Sequence, residues 1–414
     1  MTASKAALVA LVALVGTVYA VVVLNAVPPH PDLDVYLRAG KDLAEGRPLY
    51  DAFVNGSGDP ALRYAFIYPP LFAIVMLPFL LLPAALAPIA WLVVTHGALA
   101  LTFVIVFRRL RANQLVVLLS LLITLAFYPL WVDASQAQAN LPILLLVTLG
   151  MVGISEGKSR AGIWLGVAAA LKLTPGLLLI WLLVERRFRA AALMVAGFLG
   201  VTALAALLRP ADSLTYARSV APQLAGGTAY WSNQSIEGVI SRLFTMNPYT
   251  TPLVDLSWAH VLVVVLAVTA IAFWVWARRG QTALTRAFVF LPLLPLASTV
   301  SWEHHLVILL PLVWLIVAVL AERGWPLGET AVATLAMATL LAIPHLPIGP
   351  PYATEFARAA HTHNPLLLAA ANRLFAGAAL LLVVSPWLLS RVGSAGRRWM
   401  ERTPHPLTPP GAAA

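Results

Sequence analysis

The apolar stretch AALVALVALVGTVYAVVVLNAV (6–27) is followed at once by the charged, Pro-rich stretch PPHPDLDVYLRAGKDLAEGRPLYD (28–51). The first stretch is long enough to cross a hydrocarbon core of about 30 Å as a helix. It is longer than the apolar part of a signal peptide and no convincing cleavage site follows, so it is predicted to stay as the first span. The charged stretch is then predicted to open a loop on the far side of the membrane.

The rest of the chain is equally apolar. Of 414 residues, 60% are hydrophobic and only 11% are charged. Apolar runs of about 16 to 23 residues recur from end to end, and a bilayer tolerates such runs as helices whose backbone groups bond internally. The composition predicts an all-α polytopic membrane protein with about 10 to 12 transmembrane helices. There is no cysteine, which excludes disulfides and thiolate chemistry.

The net charge of +10 comes from short basic clusters beside the spans rather than from a nucleic-acid-binding surface. The clusters are RRLR (108–111), ERRFR (185–189), ARRG (277–280) and RVGSAGRRWMER (391–402). Lys and Arg concentrate in cytoplasmic loops. Five polar segments are therefore predicted to face outward: 28–68, 131–140, 209–257, 298–305 and 345–365. Residues 1–390 are predicted to form one transmembrane domain, followed by a cytoplasmic tail (391–414) that is basic and then Pro/Ala-rich.

Two apolar segments do not fit a simple crossing. Residues 69–84 are short and bounded by prolines, and a crossing there would place RRLR outside, so the segment is predicted to dip without crossing. Residues 161–184 have basic residues on both sides and are broken by KLTPG (172–176). Since Pro175 removes a helical hydrogen bond and Gly176 permits a turn, a hairpin returning to the cytoplasm or two short spans are predicted.

The first long loop (28–68) is predicted to carry a short surface helix. Helix-forming residues follow Pro31 and Asp32, and Glu45-Gly46 ends the pattern. Asp32 at this place can be a helix cap. A carboxylate on a loop beyond the first span can also act as a base toward a hydroxyl arriving from the aqueous side.

Seven motifs, taken in order, resemble those of a known enzyme family. They are DLDVY (32–36), GRPLY (46–50), FIYPPLF (66–72), QAN (138–140), KLTP (172–175), NQSIEGVISRL (233–243) and SWEHH (301–305). No single motif is specific, but the series is similar to that of glycosyltransferase family 87, the polyprenol-phosphate-mannose-dependent α-mannosyltransferases. The family often shows Gly before the glutamine, where this chain has Ala137.

The resemblance implies a GT-C type helical bundle and an activity. A sugar, with mannose favoured and arabinose left open, passes from a polyprenyl-phosphate donor to a glycolipid or lipoglycan acceptor. The implied linkage is α-1,2, and the implied place is the extracytoplasmic face of an actinobacterial plasma membrane. No cofactor is predicted, because the lipid-linked sugar is itself a substrate.

The resemblance also implies roles for individual residues. Asp32 matches the catalytic carboxylate, and Asp34 is the second choice because the register of a short motif can slip by two. Residues expected to bind the donor phosphate or the acceptor are His304, His305, Lys172 and Arg242. Residues expected to bind substrate are Tyr36, Tyr68, Gln138, Asn140, Asn233, Gln234 and Glu303, with Glu303 orienting one of the imidazoles next to it.

Plainer interpretations of the same residues stay open. The two histidines can be an interfacial pair, and Lys172 can snorkel or bind carbonyls freed by Pro175. Asn233, Gln234 and Arg242 can belong to an exposed polar turn. Neither EHH (303–305) nor HTH (361–363) has the spacing of a helical zinc site, so no metal is predicted, although a divalent ion is left open.

A secondary transporter or lipid flippase is the alternative function, with Lys172 and the break at KLTPG as the substrate site. A structural subunit is a third possibility. The chain shows no internal repeat and gathers its polar residues in two long loops, which favours the enzyme over both.

Overall fold

The computed structural model describes residues 3–25, 31–59, 63–110, 112–341 and 365–390. Its first helices are α1 (Ala3–Asn25), α2 (Pro31–Ala44), α3 (Asp51–Val54), α4 (Pro70–Met76), α5 (Ala87–Leu110), α6 (Gln114–Leu125), α7 (Tyr128–Ser135), α8 (Asn140–Ser155), α9 (Gly162–Leu171), α10 (Leu178–Val184) and α11 (Phe188–Leu208). They continue as α12 (Pro210–Thr215), α13 (Ala221–Ala225), α14 (Ile236–Phe244), α15 (Ala259–Ala277), α16 (Ala283–Val289), α17 (Leu293–Ala297), α18 (Leu310–Glu322), α19 (Leu327–Ala338), α20 (Pro365–Ala371) and α21 (Arg373–Ser390). Shorter 3₁₀ segments are Leu77–Leu81, Ser159–Ala161, Thr174–Leu177 and Glu303–Leu309, and Tyr216–Val220 is a π-helical turn.

The prediction of an all-α polytopic membrane protein is confirmed. Six helices in the described part of the chain are long and apolar enough to cross a membrane, and seven further apolar helices are shorter. The same residues form no β-sheet, only two isolated bridges. Residues 345–364 of the last predicted polar segment and the tail 391–414 lie outside the described residues.

The centre of the bundle is α18 with the 3₁₀ turn that precedes it. In the segment Glu303–Glu322, 89% of the most apolar window is buried, against 11% for α1 and for α15. A helix that is apolar all round belongs inside a large bundle, whereas α1 and α15 present their side chains to lipid. The residues Glu303 to His305 therefore lie at one end of the central helix.

The segment 161–184 is the predicted hairpin. Glycines of α9 lie against the backbone of α11, with Gly162 facing Ala190 and Gly166 facing Met194. Residue numbers increase in the same direction along the two helices at these contacts. The helices α9 and α11 therefore run parallel to each other. The chain between them, Thr174–Val184, must return to the end from which α9 started. Lys172 sits at the tip of this hairpin, where its extended backbone (φ −153°, ψ 124°) ends α9.

Close packing of α8 against α9 brings two polar residues to the same end of the bundle. A Cβ at Gly150 or Gly153 would collide with Leu165 or Ala161, so the two antiparallel helices approach at glycine positions. Asn140 begins α8 and Lys172 follows α9. Their side chains consequently meet beside the hairpin tip.

The apolar segment after the first long loop is short, as predicted for a dip. The α4 helix and the 3₁₀ turn together cover Pro70–Leu81, which at 1.5 to 2.0 Å per residue is well below the roughly 30 Å of a hydrocarbon core. This segment supports α2, which packs on both of its parts.

Two of the long apolar runs are each divided into two helices. The run 114–130 divides into α6 and α7, and the run 285–300 divides into α16 and α17. Pro129 lies in the first turn of α7, and Pro292 directly precedes α17. A proline cannot donate within a continuing helix, so each break falls beside one.

Ion pairs join the basic loops at the end of the bundle opposite the hairpin tip. Arg109 pairs with Glu156, and Glu185 accepts from both Arg278 and Arg286 at 2.9 Å. Loops that were predicted to share the cytoplasmic face thus meet at one end. The two long loops lie at the other end, with Lys172 and Asn140.

Candidate active site

The α2 helix carries Asp32 and Asp34, and one of its faces is packed against the rest of the protein. Leu33, Val35 and Tyr36 are buried beneath it. Asp32 lies in the first turn after Pro31, rather than capping the helix as one reading of the sequence had it. The helix ends at the predicted place, and Gly46 follows with a φ of +72°.

Two residues of the second long loop (209–257) form hydrogen bonds to the chain at the C-terminal end of α2. The guanidinium of Arg209 donates to the carbonyl oxygen of Leu43 at 3.2 Å and to the Asp212 carboxylate at 2.6 Å. Asp212 in turn accepts from the backbone N–H of Leu49 at 2.9 Å. Both long loops are therefore tied together where α2 ends.

Gln138 connects Asp32 to two tyrosines. Its amide nitrogen donates to the Asp32 carboxylate, and its amide oxygen accepts from the hydroxyls of Tyr36 (2.8 Å) and Tyr68 (3.1 Å). Since a carboxylate can only accept, the orientation of the amide is fixed by its partners. The sequence-predicted residues Asp32, Tyr36, Tyr68 and Gln138 are brought together here.

The two carboxylates of DLDVY differ in environment. Burial raises the pKa of Asp32 to about 6, while the Gln138 hydrogen bond and the charge of Lys172 act in the opposite direction. Asp34 is exposed. The geometry therefore separates Asp32 from Asp34.

A second chain of hydrogen bonds surrounds Lys172. Its ammonium contacts Asn140 Oδ1 and His305 Nε2, both at 2.7 Å, and lies 5.5 Å from the centre of the Tyr68 ring. Asn140 Nδ2 donates to Asp133 Oδ1 at 2.8 Å. Lys172 thus has named partners in the protein, where one plainer interpretation had it snorkel.

A cavity of about 330 Å³ adjoins both groups of residues. Polar lining residues include Tyr68, Lys172, Thr174, Thr299, Trp302 and His305. Apolar side chains such as Leu177 and Leu224 line it as well. Its size and mixed lining suit part of a lipid-linked polar ligand.

Glu303 and His304, which were expected to bind the substrate or the donor phosphate, do not line this cavity. The Glu303 carboxylate bonds with the Tyr128 side chain and faces Arg373 and Arg242, so it does not orient an imidazole. His304 is buried, and neither ring nitrogen has a partner among the described residues.

Arg242 is a structural residue in this conformation rather than a phosphate ligand. It is 1% exposed. Its guanidinium donates to the carbonyl oxygens of Tyr230 (2.7 Å) and Asn233 (2.8 Å) and to the Asn372 side chain (2.7 Å). A buried cation needs such partners, and they hold Arg242 away from the cavity.

Asn233 and Gln234 also hold the second long loop together rather than reaching the cavity. The Asn233 side chain bonds with Thr228, Thr299 and Ser301. The Gln234 side chain bonds with the backbone of Ala371 and Phe375. Both are fully buried, and neither lines the cavity.

Sequence reasoning did not single out Asp133 or the cavity residues Thr174 and Trp302. Asp133 lies within the polar segment 131–140 that was predicted to face outward, and an acidic residue there was the available signal. Thr174 and Trp302 lay inside the motifs KLTP and SWEHH. In the part of the chain that the structure describes, no three His, Asp or Glu side chains come together as a metal site.

Fold and site together define a polytopic helical membrane protein whose carboxylate, cation and cavity lie at one end of the bundle. The family model of glycosyltransferase family 87 matches residues 66–301, more than half of the 414 residues. The chain therefore belongs to glycosyltransferase family 87, and the resemblance seen in the motifs is confirmed.

The chain is also similar to curated proteins that are described as mannosyltransferases. A polyprenol-phosphate-mannose-dependent α-(1-2)-phosphatidylinositol mannoside mannosyltransferase of Mycobacterium tuberculosis is 30% identical over 233 residues, which are 52% of this chain and 54% of the relative. The protein of that description from Mycolicibacterium smegmatis is 32% identical over 241 residues (53% and 54%). A phosphatidylinositol pentamannoside mannosyltransferase of Mycobacterium tuberculosis is 29% identical over 229 residues (54% and 52%). The chain spans about half the length of the curated relatives it matches. No solved structure matches it.

Proposed function

We propose that this protein transfers mannose from polyprenyl-phosphate mannose to a phosphatidylinositol-mannoside type of glycolipid, in α-1,2 linkage. The reaction takes place at the extracytoplasmic face of an actinobacterial plasma membrane. Membership of glycosyltransferase family 87 and the activities named for the relatives support the donor and the acceptor class. The basic loops at the opposite end of the bundle support the orientation.

The observation that carries the proposal is the environment of Asp32. The carboxylate is half-buried, bonded to Gln138, and linked through that amide to Tyr68 at the cavity wall. A pKa of about 6 leaves it ionised at neutral pH yet basic enough to accept a proton. The family match begins at residue 66, so the role of Asp32 depends on this geometry and on the motif around it.

In the proposed reaction a hydroxyl of the acceptor attacks the anomeric carbon of mannose. The new C–O bond forms as the bond to the phosphate oxygen breaks, and polyprenyl phosphate leaves with the electron pair. The Asp32 carboxylate takes the proton of the attacking hydroxyl as general base. Both bond changes occur at one carbon, so acceptor and phosphate must approach it from opposite sides.

Negative charge develops on the departing phosphate, and Lys172 is the cation of the cavity wall. An ammonium held by fixed partners stabilises such charge without reorganising during the reaction. His305 lies beside it and offers a second polar contact. A transporter with Lys172 in its substrate site remains the competing function, and family membership weighs against it.

The test is transfer of labelled mannose from polyprenyl-phosphate mannose to lipid in membranes containing wild-type protein, Asp32→Asn or Asp34→Asn. The two variants remove the same charge from the same helix, two residues apart. The expected result is transfer by wild type and by Asp34→Asn, and loss of at least about a hundredfold in Asp32→Asn at equal protein level. Equal activity in both variants would exclude Asp32 as the base, and no transfer by wild type from any lipid-linked sugar would refute the enzyme.

A further inference from the structure

Asp133 is a buried carboxylate to which the proposed reaction gives no part. It is 1% exposed, and it lies in α7, which is neither a span nor part of the cavity wall. Ionised carboxylates are rarely buried to this degree without a specific partner. Its partner is the side chain of Asn140.

The Asp133 carboxylate determines which way the Asn140 amide points. A carboxylate accepts hydrogen bonds only, so it must face the NH₂ group of the amide. The amide oxygen is thereby left for Lys172, and the two bonds measure 2.8 Å and 2.7 Å. Without a side chain at position 133 that can only accept, the amide could rotate and offer NH₂ to the ammonium, which would repel it.

Lys172 is consequently held from two sides. Asn140 Oδ1 and His305 Nε2 take two of its ammonium hydrogens, and an ammonium has three. No third acceptor is found among the described residues, and Lys172 lines the cavity. The remaining hydrogen is available for an anionic group bound there.

The backbone of Asp133 also helps to position Gln138, the hydrogen-bond partner of Asp32. The backbone carbonyl of Asp133 accepts from the N–H of Gln138 at 2.9 Å. The turn 133–140 therefore carries both Gln138, which binds Asp32, and Asn140, which binds Lys172. One short segment sets the spacing between the proposed base and the proposed cation.

We infer that Asp133 is a positioning residue, which acts through Asn140 to keep the Lys172 ammonium aimed at the phosphate of a polyprenyl-phosphate ligand in the cavity. The inference deepens the proposed function and rests on it for the identity of the ligand. It assigns Asp133 no contact with substrate. Its effect is on the binding of the anionic ligand, through a side-chain orientation.

The experiment measures binding of polyprenyl phosphate, without sugar, to the full-length protein in lipid nanodiscs. In Asp133→Asn, position 133 offers an NH₂ group as well as an oxygen, so the Asn140 amide is no longer held in one orientation. The dissociation constant should then rise about five- to tenfold, as for a lost coupling between neighbouring side chains. In the exchange Asp133→Asn with Asn140→Asp, the carboxylate accepts directly from Lys172 and the new amide donates to it. This double variant should return to within about twofold of wild type.

Thermal unfolding of each variant and the control Asp34→Asn accompany the binding measurement. A folded Asp133→Asn with wild-type affinity would overturn the inference, and so would a double exchange that fails to fold or to bind. In transfer assays on the same preparations, the KM for the donor should rise in Asp133→Asn while the KM for the acceptor stays unchanged. An equal rise in both would indicate a merely structural role.

These outcomes separate the two proposals. Wild type that binds polyprenyl phosphate but transfers no mannose would refute the proposed function and leave the positioning by Asp133 testable by affinity alone. Wild type that transfers mannose, with Asp133→Asn unchanged in donor affinity and donor KM, would refute the positioning and leave the function intact.

Discussion

The amide of Gln138 donates to the carboxylate of Asp32 across 106 positions of the chain. This bond joins the first turn of the surface helix to the start of α8, and Tyr36 and Tyr68 share the oxygen of the same amide. A carboxylate that would otherwise be free to rotate is therefore held by Gln138, which also binds Tyr68 of the cavity wall.

Transfer activity should depend on the ionisation of Asp32. Only the ionised carboxylate accepts a proton, and burial raises its pKa to about 6. The rate at saturating substrate should therefore be constant at neutral pH and fall about tenfold per unit as the pH drops below about 6. A pH profile of labelled-mannose transfer checks this, with Asp34→Asn keeping the wild-type profile. A midpoint near 4 would show that the base is not a desolvated carboxyl.

Gln138→Leu should move that midpoint upward. The hydrogen bond from Gln138 favours the ionised form of Asp32, so its loss raises the pKa further. A hydrogen bond to a charged group contributes about 1.5 to 3 kcal/mol, which corresponds to a shift of about one to two pH units. The control is Gln136→Leu, since the Gln136 side-chain oxygen has no partner among the described residues. An unchanged profile in Gln138→Leu would argue that the amide only supports the tyrosines.

Hydropathy and loop charge predicted the helical bundle, and for residues 161–184 they left a hairpin or two short spans open. The structure forms the hairpin, with Lys172 at its tip. Hydropathy and loop charge did not predict the breaks between α6 and α7 or between α16 and α17, because the apolar runs continue through both. Only Pro129 and Pro292 mark those places, and prolines are also tolerated within membrane helices.

The site was predictable in part for a physical reason. Asp32 follows the first span and Lys172 interrupts an apolar run, and a polar residue is conspicuous at such places. Gln138 and the catalytic role of Asp32 are indicated only by the resemblance to the family motifs. Asn233 and Arg242 look equally polar in sequence, yet the structure uses them to satisfy carbonyls of their own loop. Sequence alone does not distinguish an amide that binds a sugar from one that binds the backbone.

Ala137→Gly should stabilise the protein slightly. Ala137 has a φ of +50°, in the left-handed region that costs an L-residue about 1 to 2 kcal/mol. Gly relieves that strain but adds about 0.4 to 1 kcal/mol of unfolded-state entropy, so a net gain of up to about 1 kcal/mol is expected. The family often has Gly at this place. Thermal unfolding checks the effect, and Ala134→Gly, within α7, should destabilise instead.

Gly166→Ala should weaken the packing that places Lys172. An added Cβ would collide with backbone atoms of Met194 and Phe198, so α9 must move away from α11. Overpacking of this kind costs about 1 to 3 kcal/mol. The matched control is Gly200→Ala in α11, where nothing lies within 4 Å of the new Cβ. Comparable unfolding temperatures for the two variants would contradict the close approach of the helices.

Arg242→Lys should separate a structural role from a role in phosphate binding. A lysine ammonium cannot reproduce the planar set of contacts to Tyr230, Asn233 and Asn372, so buried carbonyls lose partners. The expected loss of stability is at least about 2 kcal/mol. The donor KM of the protein that remains folded should be unchanged, because Arg242 does not line the cavity.

Arg218→Lys is the control for that measurement, because Arg218 is an exposed arginine of the same loop and should change neither quantity. Thermal unfolding and donor titration on the same nanodisc preparations give both numbers. If Arg242→Lys has normal stability but a donor KM that rises severalfold, Arg242 binds the donor phosphate after all. The second long loop would then rearrange when the donor binds.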